Sequence, residues 1–137
     1  MKNDLRLELS FKNISQLEKK INFFINNKIN KINIPCKGLI KKELLNETLE
    51  YIGTNYKELD VIYHYSLQHQ YHRNRETSYI DFLNFIKKCI FYKNYEILLV
   101  SGSNKKKNFE VLDVLSDFKN EKNLDINIGI SYNPYHE

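Results

Sequence analysis

The sequence predicts an α/β protein built from parallel βα units. Three observations carry that prediction. Short apolar, β-prone runs alternate strictly with stretches of helical spacing along the whole chain. No two-residue Asn-Gly or Asp-Gly type turn joins neighbouring runs, so no hairpin signal breaks the alternation. Runs such as "DVIYHYS" and "EILLVSG" are nearly continuous in apolar character, as strands covered on both faces should be.

Taken in order, the β-prone runs are Leu5–Phe11, Lys31–Pro35, Asp60–Ser66, Glu96–Ser101 and Asp125–Tyr132. Four helical stretches lie between them. The first places Leu17, Ile21, Phe24 and Ile25 on one face, extended to Lys28, with Ser15 as the expected cap and Glu18 three residues on. The second spans about Lys41–Tyr51, with Leu44, Leu45, Leu49 and Ile52 inward and Gly53 as its expected stop. The third, Ser78–Phe91, repeats Ile80, Leu83, Ile86 and Ile90 on one side. The fourth, Phe109–Phe118, is expected to bury Val111, Leu112, Val114, Leu115 and Phe118. Two architectures satisfy this order: an open, doubly wound flavodoxin-like sheet, or five strands of a (βα)8 barrel.

With 137 residues, the chain is expected to form a single domain over 1–137. A net charge of +4, with lysines and carboxylates interleaved, lacks the concentrated basic stripe of a nucleic-acid binder. The N-terminus "MKNDLRLELSF" carries charges where a signal peptide needs an apolar core. No apolar run approaches membrane-spanning length. Cys36 and Cys89 lie far apart and form no CxxC pair. The expectation is a cytoplasmic protein without membrane or nucleic-acid partners.

Parallel α/β sheets place their chemistry at the carboxyl ends of the strands. Unusual residues collect at those ends: Pro35, Cys36 and Gly38; the run "HYSLQHQYHRNRE" from His64; "SGSNKKK" from Ser101; and "YNPYHE" from Tyr132. The opposite turns, "NNKIN" and "YKNYE", hold ordinary solubilising residues. His64, His69 and His72 do not give the helical i, i+4 pair of a zinc site, and Glu76 is their only nearby carboxylate. Arg73 and Arg75 beside Tyr71 suit base stacking, but the segment is short. The plain account of Gln68 to Arg75 is a solvated polar loop. His64 differs, because an imidazole inside an apolar strand needs a partner, which a ligand can supply. The loop after Val100 offers free backbone N–H groups for an anion, or a simple helix cap at Ser103 or Asn104. Walker, GxGxxG, GxSxG and HExxH motifs are absent from the chain.

Three of these strand ends, in order, resemble one family. "HYSLQHQYHRNRE", "YEILLVSGS" and "IGISYNPYHE" look like strands three to five of the methylenetetrahydrofolate reductase family, and more narrowly of its divergent branch. The resemblance covers Asp60 to Glu137 best. It implies part of a (βα)8 TIM-type barrel that binds flavin adenine dinucleotide (FAD) and passes a hydride from a nicotinamide through the flavin to a folate. By resemblance, His64, Tyr132 and His136 would meet the flavin, and Glu8 would be the proton donor to the folate. The family's Arg-Gly-Asp turn after strand four stands here as Ser101-Gly102-Ser103, so Ser101 and Ser103 take cofactor-side positions where the family has charges. A hydroxyl at Ser103 lacks the electrostatic effect of an Asp on the flavin. The expectation is therefore an oxidoreductase domain of one-carbon metabolism holding five of the eight βα units. Its open sheet edges would be covered by self-association or by a partner chain. The competing expectation is a non-catalytic binding or assembly domain derived from the same barrel.

Overall fold

A computed structural model describes residues 5–35, 42–70, 74–101 and 110–131. The elements run β1 (Arg6–Glu8), α1 (Ile14–Asn26), β2 (Lys31–Ile34), α2 (Lys42–Asn55), β3 (Asp60–Ser66), α3 (Leu67–Gln70), α4 (Arg75–Phe91), β4 (Glu96–Val100), α5 (Val111–Phe118) and β5 (Asn127–Ile130). All five predicted strands are present. The short α3 was read from sequence as loop.

The strands form one parallel sheet in the order β1-β2-β3-β4-β5. A flavodoxin-like sheet would place β1 in its middle; here β1 lies at an edge, so the doubly wound alternative is corrected. Right-handed crossovers between sequential neighbours carry successive helices to the same side of the sheet. The core shows that side directly. Ile32, Ile34, Val61, Tyr63, Tyr65, Ile97 and Leu99 alternate along β2, β3 and β4 and are buried against Leu17, Ile21, Leu49, Phe82, Phe85 and Ile86 of the helices. The other alternating set is only half-covered: Lys31, Asn33, Ile62, His64, Leu98 and Val100 are neither buried nor fully exposed. The near-continuous apolar runs thus do not mean two covered faces in this sheet.

Local chemistry moves several boundaries. The first cap is Asn13, whose side chain accepts from the Gln16 backbone N–H, so Ser15 is inside the helix. Gln16 returns the favour by accepting from Lys12 N–H at 3.0 Å. Asn74 caps α4 in the same way, accepting from Thr77 N–H at 3.1 Å, which starts that helix ahead of Ser78. Helices α1 and α4 both end in Schellman turns. Lys28 donates to Ile25 and Ile29 to Phe24; Lys93 donates to Ile90 and Asn94 to Cys89. The left-handed positions, at φ 60 and 61, are held by Lys28 and Lys93 rather than by glycine.

The inward face of α4 also differs from the aliphatic stripe. Phe82, Phe85, Ile86 and Cys89 are buried, whereas Ile80 is 50% exposed. Ring volume outweighs aliphatic spacing here, because Phe82 and Phe85 pack on the two tyrosines of β3. In α5, Val114 is buried while Leu112 is 74% exposed, against the expected face.

Gly53 does not stop α2, which continues to Asn55. A Cβ on Gly53 would stand 2.4 Å from Cγ and Cδ1 of Tyr92. The glycine is there for the close approach of that ring, at a helix-propensity cost of about 1 kcal/mol relative to Ala. Gly53→Ala should therefore lower stability by about 1–3 kcal/mol in urea unfolding, despite the better helix former. An alanine variant more stable than the parent would contradict the packing of Tyr92 on α2.

Candidate functional site

Parallel register sorts the half-covered face into rows. At the amino end, Arg6, Lys31 and Asp60 stand side by side across β1, β2 and β3. Arg6 spans the three strands, with Nη2 2.7 Å from Asp60 Oδ1 and Nη1 donating to the Ile32 carbonyl at 3.0 Å. With both partners partly solvated, this pair contributes no more than about 1 kcal/mol. The next row holds Glu8, Asn33 and Ile62. One step further toward the carboxyl end lie His64, Leu98 and Gly129, in register across β3, β4 and β5.

His64 is the unusual member. Alternation along β3 turns it away from the tyrosine-lined core, onto the face that Glu8 also occupies. Its Nε2 is buried and has no hydrogen-bond partner. A buried polar atom without a partner costs about 1–3 kcal/mol, which a ligand's polar group would relieve on reaching it; the Tyr63 hydroxyl in the core is orphaned in the same way. Burial lowers the imidazole below its ordinary value of 6.5, and the Glu8 carboxylate pulls it partly back. A neutral imidazole can donate or accept one hydrogen bond at this nitrogen, depending on tautomer. Gly129 completes the row without a side chain, and a Cβ there would meet Leu98 Cδ1 at 3.4 Å and the Ile97 carbonyl oxygen at 3.6 Å. Among the described residues, the row beyond His64 therefore presents only Leu98 and a glycine.

The other expected site residues fall as follows. Glu8 is exposed on β1, and its charge reaches His64 across the intervening β2. Ser101 follows β4 directly and is half-buried. Ser103, Tyr132 and His136 lie outside the described residues, as do Cys36, Gly38, His72 and Arg73. The backbone of His69 belongs to α3. Glu8 and His64 are thus brought to one face.

Arg75 and Glu76 stand in the first turn of α4. Arg75 donates to Asp117 Oδ2 at 2.9 Å through Nη2 and at 3.3 Å through Nε. Tyr79, one turn on, donates to Glu121 Oε1 at 3.2 Å, and its hydroxyl is pushed up to about 12 by burial and that carboxylate. Arg75 therefore ties α4 to α5. A partner forty-two residues away leaves no local mark in the sequence. Among the described residues no group of three or more His, Cys, Asp and Glu side chains is placed to hold a metal ion. None of the described helices is long and apolar enough to cross a membrane. A cleft of about 540 Å³ lies at the opposite end of the sheet, between the ends of α2 and α4. Among the described residues, none of the site residues expected from the sequence lines it.

The fold and the site together define a class: a sequentially ordered parallel α/β sheet with helices on one face and an imidazole on the other. No protein-family model and no curated protein matches the chain.

The imidazole gives a direct pH test. An unfolded chain protonates this histidine near 6.5, whereas the folded chain resists protonation until lower pH. The unfolded state then binds more protons within that window. Stability contributed by neutral His64 is thus complete above 6.5 and is lost as pH falls through the window. Urea midpoints measured across pH 5 to 8 should fall less on the acid side for His64→Gln than for the parent, the difference cancelling the other titrating groups. Parallel curves for the two proteins would place His64 in water.

Proposed function

We propose that the half-covered face of this sheet is a flavin-binding face. The chain then acts as a methylenetetrahydrofolate reductase-like oxidoreductase domain, contributing five βα units of a TIM-type barrel. The single observation that carries the reading is the buried, unpartnered Nε2 of His64 on an otherwise apolar, side-chain-poor row. A planar ring lying over Leu98 and Gly129 would bury apolar area and hand its edge to that nitrogen. Flavin supplies hydride chemistry when bound; the protein supplies orientation, exclusion of water and polar contacts at the ring edge. The described residues fit that role. His64 would hold the ring edge, and Ser101 stands at the end of the neighbouring strand. Ser103, Tyr132 and His136 are carried to the site by the resemblance alone. Glu8, exposed on the same face, would hand a proton to a folate, a carboxyl acting as general acid.

A second reading has its own observation. Leu5, just ahead of edge strand β1, and Ile130 of edge strand β5 are 50% and 52% exposed, and an unpaired parallel edge is a template for another strand. In this reading the sheet is an assembly domain whose edges are covered by a second copy or a partner chain, with no chemistry on its face.

One titration separates the two. FAD added to the purified protein should bind saturably, with the ring's visible absorption shifted. His64→Ala should weaken binding roughly tenfold, the worth of one buried hydrogen bond. A colourless protein that ignores FAD, yet elutes from a sizing column as an oligomer, would replace the flavin reading with the assembly reading.

A further inference from the structure

The cleft at the amino end of the strands is built with more care than a gap between helix ends requires. Its wall is the ring of Tyr92, seated on Gly53 so closely that a Cβ there would clash at 2.4 Å. Phe91 lines the same cleft and is 77% exposed, although the preceding rings of its helix, Phe82 and Phe85, are buried. The two rings meet edge to face, with centroids 4.9 Å apart and planes at 85°. Tyr56 adds a third ring, held by a hydrogen bond from its hydroxyl to Asn22 Oδ1 at 3.1 Å. The lip carries Lys57 and Lys93, and no carboxylate is among the lining residues.

Lys93 is the informative one. It occupies the left-handed position of the Schellman turn that ends α4, at φ 61, where glycine would fit without strain. Lys28 ends α1 in the same left-handed well, so the backbone alone assigns no use; what sets Lys93 apart is that it lines the cleft beside Phe91 and Tyr92. Neutralising the negative end of the α4 dipole is one use for its side chain. That use explains the charge of Lys93, but neither the exposed Phe91 nor the glycine cut into α2 to admit Tyr92.

We propose that this cleft binds a small planar aromatic anion, its ring against Phe91 and Tyr92 and its carboxylate or phosphate between Lys57 and Lys93. The volume, about 540 Å³, matches a small-molecule site. Stacking on an exposed ring and pairing with two cations on one lip select a ligand that is both flat and negatively charged. The site is separate from the His64 face, lying at the other end of β3, and stands or falls independently of the flavin reading.

The probe is 2-naphthoate, titrated into 15N-labelled protein, with neutral 2-naphthalenemethanol alongside. The naphthoate should give saturable amide shifts confined to residues 52–59 and 91–94, with Kd on the order of a millimolar. The neutral analogue should bind about fivefold more weakly. Phe91→Ala, at an exposed position, should weaken naphthoate by a similar factor without altering the fold. Lys93→Gly is decisive, because glycine suits the left-handed position: this variant should melt no lower than the parent yet lose the same factor in affinity. Unsaturable shifts, equal binding of the neutral analogue, or unchanged affinity in Lys93→Gly would overturn the proposal and leave Lys93 a helix-end charge only.

Discussion

Everything in this structure hangs on the packing of two tyrosines of the central strand against two phenylalanines of one helix. Tyr63 and Tyr65 of β3 are buried, and their rings contact Phe85 and Phe82 of α4, with Tyr65 and Phe85 centroids 4.9 Å apart. Phe118 of α5 extends the column from Phe82 at 5.8 Å. Aromatic side chains bury more area than any others and add orientation-dependent contacts. Placing them on the middle strand commits that face of the sheet to the helices. The sequential strand order follows the same logic, since each right-handed crossover brings its helix back to the aromatic side.

The commitment has a consequence on the other face. Alternation along β3 means that sealing Tyr63 and Tyr65 inside turns Ile62 and His64 outward. His64 therefore owes its position to the core, and its lowered pKa to partial burial among Leu98 and the neighbouring strands. Glu8 reaches the same face for the same reason, through register with Asn33 and Ile62. The two ends of the sheet are chemically distinct. Imidazole and hydroxyl groups gather toward the carboxyl end, and aromatic rings with lysines gather at the amino end.

Strand positions were legible in the sequence because β-prone apolar runs and the lack of hairpin turns are local signals. Parallel pairing was legible for the same reason. What escaped was set by contacts between distant residues. Gly53 reads as a helix stop, yet it serves Tyr92, thirty-nine positions on. The inward face of α4 went to phenylalanines rather than to the isoleucine stripe, because the tyrosines of β3 were waiting for rings. Asn13 took the first cap from Ser15 because its side chain reaches Gln16 N–H. Of the site, His64 was legible as a polar residue in an apolar strand, whereas the role of Arg75 needed its partner Asp117. The solubilising look of "YKNYE" concealed a lysine in a glycine conformation.

In this fold β3 lies between β2 and β4, with β1 at the edge, so that Glu8 and His64 share one uncommitted face. Backbone nuclear Overhauser effects test it most directly. Interstrand backbone contacts are expected between Asn33 and Ile62 and between His64 and Leu98, with the β1 backbone contacting that of β2 alone. Contacts pairing Arg6–Glu8 directly with β3 would place β1 inside the sheet. They would contradict the sequential order and, with it, the face on which the proposed chemistry rests.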